Sequence, residues 1–186
     1  SKRPLFFLLA FLIGQLASAQ SPAILQIRKY VNKNSGDIIN EFTTLLSLPN
    51  VAVDPAGQQK TAAFIMEMMN KRGIQKVQLL NASTPGTPPA IYGEVMVPGA
   101  KQTLIFYAHY DGQPVNPAQW AKALEPFQPK LFSNTIDKEG VYMPFPADGK
   151  YNNDWRIYAR SASDDKAGVD GILNAYDAIR KSGLTH

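Results

Sequence analysis

The chain has 186 residues, 45% of them hydrophobic and 18% charged, which suffices for one domain with a real core and is ordinary for a globular protein. Of its 19 basic residues, Lys2 and Arg3 belong to a terminal segment of targeting character; the other 17 face 15 acidic ones, a net of +2, and no basic run or aromatic-basic interleaving points to nucleic acid. With no cysteine there is neither a disulfide nor a lipid-bearing thiol.

Residues 1–19 read as a secretory signal: Lys2-Arg3, an apolar stretch from Leu5 to Leu16, then Ala17-Ser18-Ala19 before Gln20. The stretch is short for a membrane span, so the expectation is export with cleavage between Ala19 and Gln20. No stable membrane anchor is then expected, and the mature protein would be periplasmic or extracellular. Ile24, Ile27 and Val31, then Ile38, Phe42, Leu45 and Leu46, recur at helical spacing on either side of a break at Asn34-Ser35-Gly36. Pro55 to Arg72 reads as a further helix with Phe64, Ile65, Met68 and Met69 on one face and Gly73 as its stop. Lys76 to Leu80 reads as a strand, Ser83 to Pro89 as a loop, and Ile91 to Val97 as a strand expected to pair with Thr103 to His109 through a turn at Pro98-Gly99.

The apolar run Thr103 to Ala108 has the look of a strand buried on both faces, and it ends in His109-Tyr110-Asp111-Gly112. Alternation along an extended chain puts His109 and Asp111 on the same side, a ligand with a carboxylate beside it. Residues 132–155, rich in Gly, Pro, Asn and Asp, read as a surface loop or hairpin. A second motif, Arg160-Ser161-Ala162-Ser163-Asp164-Asp165-Lys166-Ala167-Gly168, opens a helix whose apolar stripe is Val169, Ile172, Leu173, Tyr176 and Ile179. Taken alone, Asp164 or Asp165 reads first as an N-cap, and a lone His-x-Asp first as a hydrogen-bonded pair. A carboxylate at a helix start is also a good oxygen ligand for a divalent metal. The elements in this order describe an α/β fold, a mixed sheet flanked by helices.

The two motifs in this order resemble the M20 family of zinc metallopeptidases and amidohydrolases, which includes dipeptidases, glutamate carboxypeptidases, acetylornithine deacetylase and succinyl-diaminopimelate desuccinylase. The resemblance covers residues 22–186. It implies that His109 and Asp164 are metal ligands, Asp164 bridging two Zn2+ ions with Mn2+ or Co2+ as replacements, and that Asp111 is the catalytic group behind His109. It also implies a cis peptide bond between Asp164 and Asp165. The Asp-Asp-Lys-x-Gly segment is closer to the dipeptidase and carboxypeptidase branch than to the deacylases. The implied reaction is metal-assisted hydrolysis of an amide in a small peptide or N-acyl amino acid.

Three departures stand out. Ala159-Arg160-Ser161 replaces the family's Gly-Arg-Gly. The stretch from His109 to Asp164 is long. A Glu-Glu pair, a further acidic ligand and a late His have no counterpart, since His186 is the only other histidine and is terminal. Residues 20–186 are therefore expected to form the N-terminal portion of a longer catalytic domain, inactive by itself, with a homodimer compatible with the full-length enzyme. The alternative is an exported non-catalytic domain, or an inactive truncated fragment, of the same fold, with His109, Asp111 and Asp164 as a polar cluster.

Overall fold

The break expected at Asn34 is a joint between two helices in the computed structural model, which describes residues 21–184. Helix α1 (Pro22–Lys33) starts at Ser21, whose hydroxyl accepts from Ile24 N at 3.3 Å, with Pro22 in the first turn where its missing N–H costs nothing. It ends at Asn34, whose side chain donates to Tyr30 O at 2.7 Å, and α2 (Ser35–Ser47) follows at once. Helix α3 (Pro55–Lys71) has Asp54 as its cap, accepting from Gly57 N at 3.1 Å. Gly73, at φ +69°, is its stop, a conformation open to glycine without steric cost. Helix α4 (Lys166–Lys181) closes the set.

Leu45 of α2, Ile65 and Met68 of α3, and Val169 and Leu173 of α4 make the buried core. Each such side chain stabilises the fold by roughly 1.5–3 kcal/mol on burial. The segment carrying the first motif lies along it: Ala108 and Tyr110 pack on the cluster, so the intervening His109 and the following Asp111 turn to the other side.

The α/β class holds, with the strands in two small antiparallel sheets. Strands β1 (Gln75–Leu80) and β2 (Ala90–Glu94) pair with Leu79 opposite Ile91. The region expected to hold a loop or hairpin, residues 132–155, is framed by a three-stranded sheet in the order β4-β3-β5, from β3 (Lys130–Phe132), β4 (Tyr142–Met143) and β5 (Arg156–Tyr158). Edge-on contacts of Phe132 with Tyr142 and Tyr158 line one of its faces.

One expected pairing is absent. Residues 103–109 belong to no helix or sheet, and β2 pairs with β1. Leu104, Ile105, Phe106 and Tyr107 are 70–89% exposed, so an apolar run that reads as doubly buried has no covering layer among the described residues. A strand needs edges that accept its backbone groups, and apolar composition does not supply them. Phe106, together with Ile65, Met69, Ile91 and Leu173, lines an open cleft of about 410 Å³ that runs up to His109 and Asp111.

Asp170, one helical turn beyond Lys166, is buried beside Glu41 and Arg72, and its Oδ1 has no hydrogen-bond partner. Burial first, and then repulsion from Glu41, pushes its carboxyl up to about 7 against the pull of Arg72. The folded state therefore binds a proton that the unfolded state has released between about pH 4 and 7, so stability falls as pH rises through that window. Asp170→Asn removes this loss: relative to it, the wild type is expected to lose stability by on the order of 1–3 kcal/mol between pH 4.5 and 7.5. Urea titrations of both proteins across that range check it, and parallel pH profiles would contradict it.

Candidate functional site

His109 ends the unpaired segment and Asp164 precedes α4, and the fold brings these residues, 55 positions apart, into contact: His109 Nε2 lies 2.8 Å from Asp164 Oδ1. On its other side, His109 Nδ1 lies 3.0 Å from Asp111 Oδ1 and 3.2 Å from the Asp111 carbonyl. The imidazole is thus flanked by two carboxylates. Burial works against its charged form, but the hydrogen bonds to Asp164 and Asp111 outweigh this and raise its pKa above the usual value.

The Asp164-Asp165 bond is cis, as the family resemblance implies. Neither carboxylate caps α4: Asp165 stands at the cap position without a side-chain cap bond, while its Oδ2 accepts from the His109 backbone N–H at 3.3 Å. Asp164 is the most open of the three acids, with 81% of its side chain exposed. The side-chain capping role that either residue could have filled is thus unused.

The chemistry of this donor set suits a divalent metal. If Nδ1 carries the hydrogen directed at Asp111, the Nε2 lone pair points at a carboxylate oxygen, and two acceptors at 2.8 Å repel unless a proton or a cation lies between them. An imidazole nitrogen and a carboxylate oxygen are donors that zinc accepts. The number of donors is short: no group of three or more His, Cys, Asp or Glu able to hold a metal occurs among the described residues. His109 and Asp164 could hold part of a metal's coordination shell, and Asp111 is placed to orient His109 rather than to add a ligand.

Several residues support the site in ways that the motifs do not state. Lys166, fully buried, donates to the carbonyls of Leu45 at 2.8 Å and Leu48 at 2.6 Å, tying the start of α4 to the end of α2; burial pushes its ammonium down to about 7. Gly168 follows because a Cβ there would lie 2.2 Å from an Asp165 carboxylate oxygen. Asn50, also fully buried, has no counterpart in the motif reading. Its amide donates to Tyr110 O at 2.7 Å and to Ser161 Oγ at 3.1 Å, and its carbonyl accepts from Gly112 N at 2.7 Å. Ser161 sits at φ +60°, where a residue with a Cβ is strained by about 1–2 kcal/mol. The only signal for it in the sequence is the serine standing where the family has glycine.

No family model matches the chain. Among curated proteins it is similar to the Cys-Gly metallodipeptidase dug1 of Schizosaccharomyces pombe, 23% identical over 169 residues, which cover 86% of this chain and 31% of that protein. It is also similar to the Cys-Gly metallodipeptidase DUG1 of Candida albicans, 26% identical over 157 residues, covering 78% and 28%. A solved structure of the di-peptidase Dug1p from Saccharomyces cerevisiae matches with a TM-score of 0.64 at 20% identity, over 87% of this chain and 32% of that one, a likeness of fold. The chain thus spans about a third of the length of these relatives. They overturn the expected export: the relatives are fungal Dug1 dipeptidases, and a periplasmic or extracellular location after cleavage at Ala19/Gln20 is withdrawn. The segment on which that expectation rested, residues 1–19, lies outside the described residues, and among the described residues no helix is long and apolar enough to cross a membrane. At low identity, and without singling out one branch, these similarities support a broad kinship with the M20 metallopeptidases.

Proposed function

We propose that this chain is the N-terminal portion of the catalytic domain of a metal-dependent hydrolase that cleaves the amide bond of small dipeptides. The observation that carries the reading is the contact of His109 Nε2 with Asp164 Oδ1, backed by Asp111 on the other ring nitrogen. The relatives named as Cys-Gly metallodipeptidases support the substrate class. Two zinc ions, with manganese or cobalt as replacements, are the proposed cofactor, and His109 and Asp164 are the proposed ligands. The general base and the other ligands are assigned to parts of the protein outside this chain, so residues 21–184 alone are expected to bind zinc weakly and to hydrolyse nothing.

When bound, the metal supplies polarisation of the scissile carbonyl and an acidified water. The chain's own residues prepare for this. Asp111 accepts the Nδ1 hydrogen of His109, which selects the tautomer with a free Nε2 and makes that nitrogen more basic. Asp165 accepts the His109 backbone N–H and keeps the ring over Asp164. Because His109 must shed its proton to become a ligand, its raised pKa means that metal binding weakens as pH falls through that pKa.

The test is hydrolysis of Cys-Gly and a panel of dipeptides by the intact protein before and after EDTA, with zinc or manganese restored. Activity lost to the chelator and recovered with metal is expected. Turnover indifferent to EDTA, or hydrolysis of N-acyl amino acids but of no dipeptide, would overturn the reading.

A further inference from the structure

We propose that Asn50 and Ser161 are positioning residues, forming a buried hydrogen-bonded clamp that holds the loop bearing His109 and Asp111 in register with the turn bearing Asp164. The two motifs come from distant parts of the chain, and neither rests on a shared sheet: the first ends an unpaired segment and the second is a turn before a helix. The direct bonds between them, from His109 to Asp165 at 3.3 Å and to Asp164 at 2.8 Å, are part-buried and exposed, so a buried link beneath them has to carry part of the alignment.

Asn50 reaches both. Its amide donates to the carbonyl of Tyr110, the residue between His109 and Asp111, and to the hydroxyl of Ser161, three residues before Asp164. Its backbone carbonyl accepts from Gly112 N at 2.7 Å and from Gln58 Nε2 at 2.6 Å. Gly112 O in turn accepts from Ala52 N at 2.9 Å, so the loop is stitched on both sides of Asn50. On the other motif, Ser161 O accepts from Lys166 N at 3.1 Å, closing the turn that contains Asp164 and Asp165. Asn50 is fully buried and Ser161 only 7% exposed, so water does not compete for these bonds. The packing is close enough that a Cβ on Gly112 would come within 2.6 Å of Ser161 Oγ and 3.1 Å of the Asn50 amide.

Ser161 shows what the clamp is for. Its positive φ favours glycine, and a serine there gains nothing from its backbone. What serine adds is the hydroxyl, and the hydroxyl is engaged with Asn50. Ser161→Gly therefore separates positioning from stability: it relieves the backbone and deletes the buried Asn50–Ser161 bond, leaving the direct bonds of His109 to Asp164 and Asp165 in place.

The catalytic consequence rests on the proposed hydrolase reading, whereas the clamp itself is read without it. In the intact protein, Ser161→Gly is expected to leave the thermal midpoint at or above that of the wild type while amide exchange over residues 109–112 and 161–166 quickens by about tenfold, the loss of one buried hydrogen bond. With zinc restored, kcat is expected to fall by about tenfold with KM within about twofold, the pattern of lost alignment rather than lost substrate binding. Asn50→Ala should do the same more severely, and the serine variant keeps the test decisive if the alanine variant fails to fold. Unchanged exchange in Ser161→Gly, or quickened exchange with unchanged kcat, would overturn the proposal. A wild type that hydrolyses no peptide would overturn the functional reading instead, and the exchange data would then decide the clamp alone.

Discussion

Substituting His109 or Asp164 by alanine in the intact protein is expected to lower peptide hydrolysis by about a thousandfold or more, together with the bound zinc, because each removes a proposed ligand. Asp111→Asn is expected to behave differently. It keeps the size of the side chain and most of the metal but loses the carboxylate that accepts from His109 Nδ1 at 3.0 Å, and a fall of about 10–100-fold in kcat follows from similar changes behind metal-bound histidines. Zinc stoichiometry by atomic emission, measured beside kcat for the three variants, separates the roles. Normal zinc and turnover in His109→Ala would remove the site from this position altogether.

Replacing Arg72 by methionine is expected to destabilise the fold by about 3–5 kcal/mol, as when one partner of a buried ion pair is deleted. Arg72 lies at the end of α3 with only 6% of its side chain exposed, and it serves three elements. Its guanidinium pairs with Glu41 of α2 and, at 3.2 Å, with Asp177 of α4, and it donates to Leu173 O at 3.2 Å and Met68 O at 3.0 Å. Burial lowers its pKa, but Glu41 and Asp177 more than restore it, so it stays charged. Methionine would fill the space while leaving the half-buried Glu41 without its cation and Asp177 with only Arg180 at 3.1 Å and Lys181 at 3.4 Å. For a domain of this size the loss corresponds to a fall in thermal midpoint of roughly 10 °C. Calorimetry checks it, and a fall of no more than a couple of degrees would show that Glu41 and Asp177 find water or other partners. Glu41→Gln in the same background should recover part of the loss, since it removes one stranded charge.

The helices were legible because their signals are local. Pro and Ser or Asp at the starts, Gly73 at a stop and apolar residues at 3.6-residue spacing act within a few positions, and α1, α2, α3 and α4 begin and end close to where those signals stand. The joint at Asn34 and the hairpin character of residues 132–155 were legible for the same reason. The two motifs were also visible as sequence, along with the parity that puts His109 and Asp111 on the same side of an extended chain.

Pairing was not legible. Residues 103–109 have the composition of a buried strand, yet composition states only that a segment gains by being covered, and which edge covers it depends on elements far away in the chain. The pairing of β2 with β1, and the exposure of Leu104 to Tyr107, are decisions of the tertiary structure. So are the supports of the candidate site. Asn50 stands outside both motifs, and although Asp165 and Lys166 stand inside the second, the roles of all three come from bonds spanning 56 to 121 positions: Asp165 to the His109 N–H, Asn50 to Ser161, and Lys166 to Leu45 O. By itself the sequence determined the residue types able to hold a metal and the helices that carry them. The contact between His109 and Asp164 was decided only when the packing of α2, α3 and α4 brought two distant segments of the chain together, because a hydrogen bond or a coordination site depends on distance in space, which local propensity does not encode.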